Sequence, residues 1–170
     1  RREGTANLFM FCAPLLNWRH TKVTQRRTKA DWAICIDELV HQHFPNAERC
    51  VLVEDNLNTH TPAALYEAFE PGKARRILDR LELHFTPKHG SWLNMAEIEL
   101  SILSRQCLHG YIPNREFLAS ETLAWETERN TNKATVEWRF TTDDARIKRK
   151  RLYPVIHCEH YVKESLPIKA

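Results

Sequence analysis

The fold is decided by the stretch Val51-Leu-Val-Glu-Asp-Asn56, which continues as Leu57-Asn-Thr-His60. Three apolar residues run directly into two carboxylates, and this pattern predicts a buried strand that ends at the edge of a sheet. Open α/β sheets carry their functional groups beyond the carboxyl ends of the strands. Asp55 is therefore the first candidate for a functional residue. The alternative is an Asp that turns the chain by bonding to its own backbone.

The composition is that of one globular domain. The 170 residues are 42% hydrophobic and 28% charged, and no apolar run approaches the roughly 20 residues that span a bilayer. The net charge of +3 is mildly basic, which permits a nucleic-acid partner without requiring one. Five scattered cysteines are typical of buried thiols in a reducing compartment. We therefore expect a cytoplasmic protein that has no membrane partner.

The pattern of apolar residues alternates between strands and helices along the chain. Strands are predicted at 5–12, 18–25, 50–55, 81–85 and 136–140. Helices are predicted at 32–44, 61–70, 73–80, 93–107, 115–130 and 142–151, the last capped by Thr142. A turn at 14–17 joins the first two strands into an antiparallel hairpin, and Thr28 and Asp31 have capping-box spacing ahead of the first helix. This alternation predicts an α/β fold with a partly parallel sheet.

A second candidate acid, Glu97, lies on the predicted helix at 93–107. Its helical neighbours are the small polar residues Asn94, Ser101 and Ser104, which would let a large polar partner approach closely. The alternative is a capping box, because Asn94 and Glu97 also have that spacing. Glu99 falls on another face of the helix and is predicted to be a solvated charge.

Two motifs carry a resemblance to a known family. Asp55-Asn-Leu-Asn-Thr-His60 and Thr86-Pro-Lys-His-Gly-Ser-Trp-Leu-Asn-Met-Ala-Glu97 together resemble the integrase core of DDE transposases. They are most similar to the bacterial insertion-sequence branch related to the mariner elements, which has an Asp-Asn strand end and a Leu-Asn-x-x-Glu loop and helix. The two acids are 42 residues apart (97 minus 55). The similarity extends from residue 4 to about residue 154.

The resemblance implies a ribonuclease-H-like fold, which is a five-stranded mixed sheet flanked by helices. It also implies that Asp55 and Glu97 are the second and third catalytic acids and that both bind metal, Mg²⁺ or Mn²⁺. Two such ions about 4 Å apart stabilise the attacking and leaving oxygens of an in-line phosphoryl displacement. The implied reaction is cleavage and joining of DNA, with transposon ends and target DNA as partners, and with a homo-oligomer or a full-length transposase as the assembly.

The first acid of the family lies on a strand before the hairpin, and no such strand is found in this chain. The acids before Asp55 fall on a helix, in a turn, at the terminus, or, as Glu54, on the opposite face of the strand. The chain also opens on Arg1 without an initiator Met. We therefore expect a partial catalytic core at 1–154, with the first strand missing, and a poorly ordered tail at 155–170. The alternative is a catalytically inactive derivative that binds DNA or dimerises.

Polar and basic residues near the two acids and in the last helix are candidate DNA contacts. Backbone phosphates dominate the affinity of proteins for DNA, and these side chains suit them. The candidates are Asn56, His60, Lys88, His89, Arg146, Lys148 and Arg149. The alternatives are turn-fixing for Asn56, loop hydrogen bonds for the two histidines, and a solvated helix face for the basic run.

We expect the chain on its own to be inactive and to associate with itself. Two acids leave a metal site one anionic ligand short, and Mg²⁺ sheds its water reluctantly for so few ligands. The measurement is cleavage of element-end DNA with Mg²⁺ or Mn²⁺, comparing this chain with an Asp55→Ala, Glu97→Ala double variant. Metal-dependent cleavage by the unmodified chain that the double variant lacks would contradict this expectation.

Overall fold

A computed structural model describes residues 4–86, 94–135 and 141–148 of the chain. The strands are β1 (Asn7–Ala13), β2 (Trp18–Thr24), β3 (Cys50–Glu54) and β4 (Leu81–Phe85). The helices are α1 (Lys29–Glu38), α2 (Pro62–Ala68), α3 (Pro71–Asp79), α4 (Met95–Gln106), α5 (Arg115–Thr131) and α6 (Thr142–Lys148). The chain forms two compact units, residues 1–135 and 136–170, and α6 belongs to the second. This composition confirms the mixed α/β class.

The first two strands form the predicted antiparallel hairpin. They pair from Asn7 opposite Thr24 to Ala13 opposite Trp18. A short 3-10 turn over Pro14–Leu16 connects them, and Asn17 closes it in the left-handed region with φ of 53°. Asn is one of the few residues that tolerate this conformation. The turn therefore depends on the identity of that one side chain.

Helix α1 begins at the predicted capping box. The Thr28 side chain accepts the N–H of Asp31, and the Asp31 carboxylate accepts the N–H of Thr28. The helix continues into a wider π-helical turn at Leu39–His43, where the N–H of Phe44 bonds to the carbonyl of Leu39. The predicted helix at 32–44 is found, beginning three residues earlier at Lys29 and ending at His43 with Phe44 as its C-cap. The sequence did not indicate the change of helical type.

The strand that precedes Asp55, β3, pairs in parallel with β4. The register runs from Cys50 opposite Leu81 to Glu54 opposite Phe85. Helices α2 and α3 connect the two strands. The second of these helices begins at Pro71, two residues before the predicted start at 73, because proline is favoured in the first helical turn.

The core lies around α1. Its buried side chains and those of β1, α2 and α3 form one cluster: Phe9, Trp32, Ala33, Cys35, Ile36, Leu39, Val40, Ala64, Leu65, Ala74 and Ile77. Side chains of both strand pairs pack against this cluster, Phe11 and Trp18 from the hairpin and Leu52 and Leu81 from β3 and β4. In the part of the chain that the structure describes, the strands form two two-stranded sheets, not one. Helix α1 is thus the support that the two sheets share.

Helix α5 covers the free edge of β2 with side chains. Asn130 accepts the N–H of Arg19 at 2.9 Å and donates to its carbonyl at 2.8 Å. The carboxylate of Glu126 accepts both the N–H and the hydroxyl of Thr21, at 2.7 and 3.0 Å. An unpaired strand edge leaves backbone groups to be satisfied. Here two side chains, four residues apart, satisfy them.

The prediction that Glu99 is a solvated charge is wrong. Its side chain is 2% exposed and lies between two guanidinium groups, 3.1 Å from Arg19 and 3.2 Å from Arg129. Glu99 stands four residues before the buried Leu103, so it shares the inner face of α4. The apolar Leu100, one residue further along, is exposed. A charge can occupy this face because its partners arrive from β2 and α5.

The later predictions are tested only in part. Helix α5 is found where expected, and α4 begins at Met95, two residues later than predicted. The cap of α6 is Thr141 and not Thr142, since the Thr141 hydroxyl accepts the N–H of Asp144 at 3.2 Å. The predicted strand at 136–140 and the boundary at 154 lie outside the described residues. Within the described ranges, no helix has the length and apolar character needed to cross a membrane.

Replacing Glu99 should lower the free energy of unfolding more than replacing Glu97 on the same helix. Glu99→Gln leaves two buried guanidinium groups without their anion, which should cost about 3 kcal/mol or more of the free energy of unfolding. Glu97→Gln, on the exposed face of the same helix, is the matched control and should change it by less than about 0.5 kcal/mol. Urea unfolding measures both. Equal losses in the two variants would contradict the buried network.

Candidate active site

Asp55 is the first residue after β3, at the carboxyl end of the parallel pair. Its side chain is 35% exposed, so one carboxylate can reach both solvent and the interior. Hydrogen bonds join the end of β3 to the residue that follows β4. The N–H of Thr86 bonds to the carbonyl of Glu54 at 2.8 Å, and the Asn56 amide donates to the carbonyl of Thr86. This bond favours the turn-fixing interpretation of Asn56 over a contact with DNA.

His60 closes the turn that follows Asp55. Its N–H bonds to the carbonyl of Leu57 at 2.9 Å, and its ring Nδ1 lies 2.9 Å from Asp55 Oδ1. The ring of Trp32 stacks on it, with centroids 5.9 Å apart. Both ring nitrogens are buried, which favours a positioning role over a phosphate contact. Burial lowers the pKa of His60 against the opposing pull of the Asp55 carboxylate, so the ring is neutral near pH 7.

Glu54 lies beneath Asp55, on the inward face of β3. It is 7% exposed, and Trp32 Nε1 donates to its carboxylate at 3.2 Å. Burial raises the pKa of Glu54 to about 7, the bond from Trp32 opposes that rise, and the charge of Asp55 adds to it. The inward direction is in line with the alternation of the strand. His60 Nδ1 is also 3.8 Å from the Glu54 carboxylate, a contact that the sequence did not indicate.

Two polar groups of this cluster have no aligned partner in the part of the chain that the structure describes. They are Glu54 Oε1 and the ring of His60, whose short contact with Asp55 is close in distance but not in hydrogen-bond direction. Buried polar groups are usually satisfied. The contact between His60 and Asp55 is therefore close in distance without being an aligned hydrogen bond.

Glu97 lies in the first turn of α4, exposed to solvent. Asn94 caps this helix by accepting the N–H of Ala96 at 3.0 Å. The reciprocal bond of a capping box, from the N–H of Asn94 to the Glu97 carboxylate, is not among the bonds of the described residues. The carboxylate is therefore directed to solvent and not to the helix backbone. That Glu97 converges with Asp55 stays a prediction, because residues 87–93 between their elements lie outside the described ranges.

The remaining candidate contacts are only partly described. Arg146 is exposed on α6 and pairs with Asp143 at 3.1 Å, and Lys148 is the last residue of that helix. Lys88, His89 and Arg149 lie outside the described residues. A solvated helix face thus remains open as the alternative for the basic run.

The two candidate acids are suitable ligands for a divalent metal, but two ligands are too few to complete a metal site. Mg²⁺ and Mn²⁺ prefer carboxylate oxygens, and both acids present oxygens to solvent. Among the residues that the structure describes, however, no group of three or more His, Cys, Asp or Glu side chains could hold a metal. The described part of the chain therefore supplies suitable donors without completing a site.

Asp55 lies at the carboxyl end of a parallel strand pair, and Glu97 lies in the first turn of a later helix. Residues 1–119 match the family described as DDE superfamily endonuclease. The match covers well over half of the chain and includes both Asp55 and Glu97, so the chain belongs to that family. Comparison with curated proteins and with solved structures gave no match.

Glu54 should make the stability of the protein depend on pH. Its pKa is raised from 4.5 to about 7 on folding, so its stabilising contribution is complete below pH 4.5 and is lost as the pH rises through 7. Glu54→Gln should abolish this loss, which is on the order of 2 kcal/mol between pH 5 and 8. Urea unfolding at both pH values measures it. The exposed Glu48→Gln is the control, and an identical pH dependence in all three proteins would contradict the burial effect.

Proposed function

We propose that this chain is part of the catalytic core of a transposase that cuts and joins DNA at the ends of an insertion element, in the branch related to mariner. Asp55 and Glu97 would be two of its metal-binding catalytic acids. The observation that carries the proposal is the half-exposed Asp55 at the joined ends of β3 and β4, within the region that matches the endonuclease family. Membership of that family implies a DNA substrate.

The roles of the chain's own residues follow from their surroundings. Asp55 presents carboxylate oxygens to solvent, and His60 Nδ1 contacts the same carboxylate at 2.9 Å from the buried side. Glu97 presents its carboxylate from the first turn of α4. Mg²⁺ or Mn²⁺, when bound, would supply positive charge to the attacking and leaving oxygens of the phosphoryl group. Glu54 is buried and partly protonated near pH 7, so it would support Asp55 and not bind the ion.

A third acid is needed, and the two sheets indicate where it would enter. In the described residues, β1 pairs only with β2, and β3 pairs only with β4. Both pairs rest on α1. A strand placed between β1 and β3 would join them into one mixed sheet of the ribonuclease-H type and would bring its side chains next to Asp55. We propose that the first acid lies on such a strand.

The alternative function is an inactive derivative that binds DNA or pairs with a full-length transposase. The absence of a three-ligand metal group in the described residues favours it. Under either function the partners would be DNA and another transposase chain, in the cytoplasm. Metal binding separates the two functions, because only the nuclease core needs Asp55 and Glu97 to share an ion.

Mn²⁺ affinity in a double-mutant cycle tests the nuclease proposal. Asp55→Asn and Glu97→Gln should each weaken binding by more than the roughly tenfold that loss of a supporting residue costs a metal site. Because both acids would hold one ion, the double variant should lose less than the sum of the single losses. The exposed Glu48→Gln should bind as the unmodified chain does. Unchanged affinity in the single variants, or strictly additive losses, would refute a shared site.

A further inference from the structure

The cationic side chains of the described residues are mostly neutralised within the protein. Those with an acidic or carbonyl partner are Arg19, Lys22, Lys29, Arg49, Lys73, Arg75, Arg76, Arg80, Arg115, Arg129 and Arg146. Among described side chains, the cations without such a partner are Arg26, Arg27, Arg105 and Lys133. Only Arg26 and Arg27 are adjacent, and both are exposed. They concentrate two uncompensated charges at one point of the surface.

These two arginines lie in the link between β2 and α1, directly before Thr28, the N-cap of α1. The capping box of Thr28 and Asp31 fixes the end of the link and occupies the Asp31 carboxylate. Trp32, in the next turn, contacts both Glu54 and His60. The arginines therefore directly precede the N-cap of the helix that contacts the site.

The path from these arginines to Asp55 runs through side-chain contacts. Arg27 stands five residues before Trp32 (32 minus 27). The Trp32 ring stacks on His60, with centroids 5.9 Å apart, and His60 Nδ1 is 2.9 Å from Asp55 Oδ1. The arginines therefore stand next to the end of α1 that contacts the candidate site.

We propose that Arg26 and Arg27 bind consecutive phosphates of the DNA backbone and so position the strand at Asp55. Guanidinium groups bind phosphate through parallel hydrogen bonds, and an arginine without an internal anion loses no ion pair when it does so. An acid site alone would repel the DNA backbone, so adjacent cations are needed to bring it close. This inference rests on the proposed function, because it takes DNA as the substrate.

The salt dependence of DNA binding tests the inference. A labelled duplex is titrated at several salt concentrations with the unmodified chain, with Arg26→Gln, Arg27→Gln, and with Arg75→Gln, Arg76→Gln. The control pair is also exposed and adjacent and removes the same charge, but its arginines pair with Asp79 and Glu70. Two lost phosphate contacts should reduce the slope of log K against log salt by about 1.8. The control should keep the original slope, and all proteins should keep the same Mn²⁺ affinity and melting temperature.

Each result has one meaning. A reduced slope in the Arg26, Arg27 variant alone supports the inference. Equal slopes in both variants, with tight binding by the unmodified chain, would overturn the inference and leave the proposed function standing. No salt-dependent binding by the unmodified chain would overturn both. Arg26→Lys, Arg27→Lys should keep the slope but bind more weakly, because lysine retains the charge and loses the paired hydrogen bonds; a slope reduced as in the Gln variant would contradict the inference.

Discussion

Burial of the Glu99 carboxylate constrains three elements at once. It belongs to α4, and its partners Arg19 and Arg129 come from β2 and α5. An interior charge requires full compensation, because removing it from water costs several kcal/mol. Two guanidinium groups face one carboxylate here, and the carbonyl oxygens of Asn17 and Ala134 accept further bonds from Arg19. The hairpin, α4 and α5 therefore keep one arrangement, since any displacement would leave a charge without its partner.

The candidate site depends on this arrangement through α1. Phe9 of the hairpin and Trp32 of α1 belong to the same buried cluster. Trp32 in turn holds Glu54 by a hydrogen bond and His60 by stacking. Protein interiors are close-packed and transmit displacements from one side chain to the next. The position of Asp55 thus depends on side chains of the hairpin, of α1 and of the turn that follows β3.

Local signals predicted much of this molecule. The hairpin, the capping box at Thr28 and the parallel strand before Asp55 follow from alternation, caps and strand ends, all of which act within a few residues. The environment of Glu99 could not be predicted in this way, because its two partners are 80 and 30 residues away in the chain. The separation of the strands into two sheets is likewise a property of tertiary pairing. At the site, Asp55 was found from its strand end, while the support from His60 and Trp32 required the folded chain.

The edge of β2 and the face of α5 are matched in spacing. Glu126 and Asn130 are four residues apart on the helix, a rise of roughly 6 Å, and they bond Thr21 and Arg19, two residues or roughly 6.8 Å apart on the strand. The two side chains can therefore bond the strand in only one register of α5 against β2. One residue inserted between 126 and 130 would turn one side chain by about 100° and break the match. Residues added at 107–114 would lengthen only the connection. Evolutionary variation in length should therefore accumulate in that connection and be excluded from that single turn of helix.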